Sequence, residues 1–230
     1  MEGVKQFDLA VTSLRDVNRF LHREAGAAGV KHVKIFNADG AHSIAAGLNA
    51  PLEVEVDGHA GYYLGGMNQL ANITVHGNTG PGVGENMMSG TIRVAGFAST
   101  AAGASAHGGL LAIHGDAALR CGISLKGGDI VVGGSVGSFS AFMAQAGRIV
   151  ICGDAGDALG DSLYEAVIYV RGTVRSLGAD ARFEPMQPED FEAVRALLDR
   201  AGLKHDHKAF KRVASAKSLY HWNADANLEY

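Results

Sequence analysis

Hydrophobic and polar positions along this chain fall into one phrase that returns every 19 residues between Leu52 and Gly172. The phrase is a small or apolar residue, a variable one, an aliphatic, a variable one, an aliphatic, a variable one and glycine. It reads LEVEVDG at 52, ANITVHG at 71, GTIRVAG at 90, GLLAIHG at 109, GDIVVGG at 128, GRIVICG at 147 and AVIYVRG at 166, without insertion or deletion. Alternation over about five positions is the period of a strand with one buried face. It points Val54 and Val56 inward, then Ile73 and Val75, and so on through Ile168 and Val170. So short a strand cannot bury that face alone. Stacked identical coils bury it together, as parallel strands about 4.8 Å apart around one continuous core.

The predicted fold is therefore an all-β parallel β-helix of about seven 19-residue coils. A left-handed hexapeptide helix wants a multiple of six, which favours the right-handed form. Leucine-rich and calcium-binding repeats need signatures that are absent here. The closing glycines Gly58, Gly77, Gly96, Gly115, Gly134, Gly153 and Gly172 are expected at the corners, where the chain turns with positive φ or the next coil comes close. A second glycine follows seven residues later at Gly65, Gly84, Gly103, Gly122 and Gly160, with alanine at Ala141 and Ala179.

The outward column Glu55, Thr74, Arg93, Ala112, Val131, Val150, Tyr169 starts polar and turns apolar. A solvent-facing sheet keeps that face polar, so Ala112, Val131, Val150 and Tyr169 are expected to be covered, by the chain's own terminal helices or by another subunit. Short α-helices flank the repeat. Ser13 can cap a helix with Leu14, Val17 and Leu21 on one face beside Phe20, ending at Gly26. Pro188 opens a second, with Phe191, Val194, Leu198 and Ala201 on its apolar face and Gly202 closing it. The chain divides into an N-terminal helix and lead-in (1–50), the β-helix (51–180), and a C-terminal helix with a basic, aromatic tail (181–230). That tail carries Lys204, Lys208, Lys211, Arg212, Lys217, Tyr220 and Trp222, and reads as solvated or as docked on a partner.

Composition adds little beyond this. Glycine makes up 32 of 230 residues, about twice its ordinary ~7% share, which the repeat explains. A net charge of −4 gives no electrostatic case for nucleic acid. No signal-like N-terminus and no apolar run of membrane-spanning length is present, so a cytoplasmic protein is expected. Cys121 and Cys152 fall in different repeat columns and read as small buried residues in a reducing compartment.

Candidate chemistry is sparse. The run GNTGPGVGEN at 77–86 resembles a phosphate loop superficially, but a strand follows it where a dinucleotide fold needs a helix. His76 and His114 share a column two coils apart, roughly 10 Å by strand spacing, too far to share a metal. His205 and His207 around Asp206 lack further ligands. No Ser-His-Asp, Cys-His or paired-carboxylate arrangement stands out, so no catalytic, cofactor-binding or metal residue is expected in this chain.

The seven-fold repeat, together with HAGYYLGGMNQLANITVHGN and GGLLAIHGDAALRCG, resembles the glycine-repeat (GXGXG) domain at the C-terminus of the glutamate synthase large subunit. The resemblance covers about residues 45–175. It implies a right-handed β-helix that holds glutaminase and flavin domains in place and carries no catalytic residue. Two kinds of free-standing β-helix polypeptide are also similar. One is the small β-helix component of N-methylglutamate synthase, whose ending resembles FKRVASAKSLYHWNADAN; the other is the β-helix component of the formylmethanofuran dehydrogenase and formyltransferase/hydrolase complexes. The first implies a hetero-oligomer with a glutaminase-like amidotransferase subunit and a flavin-containing subunit, in which FMN and an iron–sulfur cluster reside. The second implies a one-carbon formyl-transfer complex. One departure is the turn Gly77-Asn78-Thr79-Gly80, where glutamate synthases tend to have an acidic GDxND-type turn.

Overall fold

The computed structural model describes residues 4–217. Nine strands stack in parallel: β1 (Lys5–Asp8), β2 (His32–Phe36), β3 (Glu53–Val56), β4 (Asn72–Val75), β5 (Thr91–Val94), β6 (Leu110–Ile113), β7 (Lys126–Val132), β8 (Ala146–Ile151) and β9 (Val167–Val170). From β3 to β9 the register advances by 19 residues per rung, as in Val54↔Ile73 and Ile149↔Ile168. Like residues therefore sit in columns, and the inward aliphatics are almost wholly buried in one core running the length of the stack.

The stack begins one coil earlier than the 19-residue period shows. The segment 30–50, expected as a lead-in, places β2 in register with β3 through Val33↔Val54 and Ile35↔Val56, an offset of 21. The surplus is taken up at the first corner, where Asn37 and Asp39 both have positive φ. β1 adds a further rung on β2. Helix α1 (Leu14–Arg19) begins at Ser13, whose Oγ accepts the Asp16 N–H, and runs on into a π-helical turn (Phe20–Glu24). Val17 and Leu21 are buried against the first coil, with Leu14 and Phe20 beside them.

Each coil is bonded to its neighbours on every side. Single-residue parallel bridges run Ala60, Thr79, Ala98, Ala117, Val136, Ala155, Val174. The closing glycines bond in series, Gly96 N–H to Gly77 O and onward to Gly172 N–H on Gly153 O. On a third side alternate residues take positive φ, for example Tyr63, Gly65 and Met67. There Gly84, Gly103 and Gly122 donate back to Leu64, Val83 and Ala102.

The C-terminal part is no tail as far as Lys217. After β10 (Ala181–Glu184) and helix α2 (Pro188–Ala201), β11 (Lys211–Ser215) inserts antiparallel between β9 and β10. The last rung's backbone edge is thereby paired rather than exposed. Tyr220 and Trp222 lie outside the described residues.

Candidate functional site

The closing glycines occupy corners whose construction is shared by successive coils. After five of the seven, the next residue offers a side-chain acceptor to the backbone N–H one coil on. His59 Nδ1 accepts from Asn78, and Asn78 Oδ1 from Phe97. Asp116 Oδ1 accepts from Ser135, Ser135 Oγ from Asp154, and Asp154 Oδ1 from Thr173, at 2.7–2.9 Å. Phe97 interrupts this ladder. A Cβ at Gly96, Gly134 or Gly172 would overlap the acceptor oxygen of Asn78, Asp116 or Asp154, and at Gly153 it would come 2.5 Å from Ser135 Oγ. At Gly77 and Gly115 it would meet the backbone of the glycine one coil below. Of the seven, only Gly58 has positive φ, so close approach between coils requires glycine at the other six.

Ala112, Val131, Val150 and Tyr169 are buried together with Leu110 and Cys152 beneath Val194, Leu197, Leu198 and Ala201 of α2 and Phe210. The cover is the chain's own helix. α2 is pinned at both ends. At its start the Gln187 N–H donates to Asp190 Oδ2 at 2.8 Å, and Asp190 Oδ1 accepts the Tyr169 hydroxyl at 2.7 Å. Burial, with the Asp190 hydrogen bond, pushes the Tyr169 phenol up. At its end Gly202 takes the left-handed cap. There Arg93 donates to Arg200 O at 3.1 Å, His114 Nε2 lies 3.0 Å from Ala201 O, and the buried Asp129 carboxylate joins Arg148 and Arg200. The Arg93 guanidinium on a helix C-terminal carbonyl suits the helix dipole.

The remaining candidate residues do not converge. His76 contacts Glu55 at 3.3 Å, as His32 does from the other side at 2.8 Å, around a cavity of about 330 Å³. Burial raises the Glu55 carboxyl, but the hydrogen bonds from His76 and His32 outweigh it and leave it below its ordinary value. Among the described residues, no group of three or more His, Cys, Asp or Glu side chains could hold a metal ion. Asp206 caps the turn His207–Ala209 through the Lys208 N–H. Burial, then the Arg171 charge, lowers the His205 pKa. Cys121 and Cys152 are free and buried, and burial pushes their thiols up to about 12 and about 11; neither is a nucleophile at neutral pH. The 77–86 run is a corner and a turn between rungs, with Asn78 in the ladder. No described helix is long and apolar enough to cross a membrane.

No protein-family model matches the chain. Protein GlxC of Rhizobium meliloti (strain 1021) is 52% identical over 219 residues, covering 95% of this chain and 96% of that protein. The chain belongs to the GlxC family. The matched length exceeds the 121 residues of the repeat from Leu52 to Gly172, so the likeness extends beyond the repeat.

Proposed function

We propose that this chain is a non-catalytic β-helix scaffold subunit of a glutamate-synthase-like complex, and specifically of N-methylglutamate synthase, which moves nitrogen between glutamate and methylamine. The observation that carries the reading is the uninterrupted 19-residue glycine repeat of the type found beside glutaminase and flavin domains in glutamate synthase. It is supported by the parallel stack that this repeat forms, and by a GlxC relative that matches nearly end to end. A stack bonded on every side of every coil changes shape little under load, which suits a part that fixes two active sites relative to each other. The glutaminase-like subunit would supply the amidotransferase chemistry. The flavin-containing subunit would hold FMN and an iron–sulfur cluster, and this chain would hold neither.

Reconstitution tests this. The purified chain should turn over neither glutamine nor glutamate, and no formyl donor. Added to its glutaminase-like and flavin partners, it should raise N-methylglutamate formation from methylamine. Turnover by the chain alone, or full activity of the partners without it, would overturn the scaffold role.

A further inference from the structure

We infer that the outer face of α1 and its π-helical turn is a docking surface for a carboxylate-rich segment of a partner protein. This deepens the scaffold reading by naming a contact surface, and it rests on that reading for the partner's existence. Arg15, Arg19 and Arg23 recur every four residues and line one shallow cradle of about 530 Å³ with Asn18 and His22. The opposite face, Val17 and Leu21, is buried in the first coil, so the guanidinium row can only face outward.

Arg19 shows what the cradle accepts: it holds Asp16 at 2.9 Å and Glu24 at 3.2 Å. Arg15 and Arg23 flank it, both exposed, and the Ser13 hydrogen bond followed by the Arg19 and Arg15 charges holds the Asp16 carboxyl below its ordinary value. The surroundings sharpen the contrast. Residues 14–24 carry Arg15, Arg19 and Arg23 against Asp16 and Glu24, a balance of +1, whereas the rest of the chain carries 17 Lys and Arg against 22 Asp and Glu, a balance of −5. A positive face on an otherwise acidic molecule attracts acidic surfaces. Arginine forks match carboxylates in pairs of hydrogen bonds, and such complementarity sets register and association rate. The occupant of this surface is an Asp- and Glu-bearing stretch of protein lying along the helix, across Arg15, Arg19 and Arg23.

The test uses the full chain and a deca-glutamate peptide, at low and at physiological salt, by calorimetry or fluorescence anisotropy. Saturable, salt-sensitive binding is expected. It should weaken about tenfold or more in Arg15→Glu/Arg23→Glu, where two attractions become repulsions. Arg195→Glu, an exposed reversal on α2, should leave it unchanged. Circular dichroism and melting of the double variant should match the parent, since both side chains are exposed. No peptide binding would overturn the inference. So would equal weakening by Arg195→Glu, or tighter binding of polyuridine than of deca-glutamate. Because the peptide replaces the partner, such a failure would leave the scaffold reading to stand or fall by reconstitution.

Discussion

Gly134 and Ala141 lie seven residues apart in one coil, and the backbone asks different things of them. Gly134 has an ordinary φ, but a side chain there would displace Asp116 from its bond to Ser135. Gly134→Val should cost ~1–3 kcal/mol through a lost hydrogen bond and an intercoil clash. Ala141 has φ 59° and is fully buried. It stands in the column of Gly103, where φ is also positive and a Cβ would come 2.6 Å from Ile130 Cδ1. Ala141→Gly relieves a left-handed alanine of about 1–2 kcal/mol but gives up a buried methyl and backbone rigidity of similar size. The net effect should be within about 1 kcal/mol. Thermal melts of the two variants check this; equal losses would contradict the division of labour between the two columns.

Glycine at the corners was legible from spacing alone, but which of two reasons applied at each was not. Positive φ and close approach leave the same letter in the sequence. The acceptor ladder was also missed, because His59, Asn78, Asp116, Ser135 and Asp154 share a role in hydrogen bonding rather than a residue type. Its trace is the run of short polar residues directly after the closing glycine.

At the scale of elements, α2 completes the sheet's outer face. Val150 is fully buried beneath it, so Val150→Lys places an ammonium under the helix and should destabilise the isolated chain by several kcal/mol (~3 or more). Leu198→Ala on the facing helix should cost about 2–4 kcal/mol. Chemical denaturation of the lone chain measures both, and an unchanged midpoint for Val150→Lys would contradict an intramolecular cover. The cap responds to acid. Hydrogen bonding from Arg182, and the charge of Arg212, hold the Glu184 carboxyl below its usual value despite partial burial. Its contribution is therefore present above the unfolded carboxylate pKa, near 4.3, and is lost as pH falls through the lower folded value. Melting temperature should fall more steeply below about pH 4 in the parent than in Glu184→Gln.

The elements that the sequence showed are those whose own pattern carries them: the seven coils, the capped α1 and the Pro188-to-Gly202 helix. The strand signal from Val33 to Phe36 was readable, but the 21-residue offset hid that β2 is a rung of the stack. In β11, KRVAS has one deeply buried aliphatic, Val213. Its strand character comes from pairing with the edge of β9, which no local pattern announces. That Ala112, Val131, Val150 and Tyr169 needed a cover could be read from an outward column turning apolar. Which element supplies it required the placement of α2.

At the scale of the molecule, the 11-stranded sheet is one elongated body with its core along its axis and its last rung sealed by β11. Its ordered features serve the stack: corner ladders, glycines at intercoil contacts and a helix clamped to one flank. The molecule's role then depends on what it holds together. Native isolation of this chain from cells, with absorption spectroscopy and mass analysis of whatever accompanies it, tests that most directly. A coloured assembly with flavin absorbance is expected, containing at least two further polypeptides, one glutaminase-like and one binding FMN and an iron–sulfur cluster. A colourless assembly that carries zinc and transfers formyl groups, or a chain that purifies alone under every native condition, would contradict it.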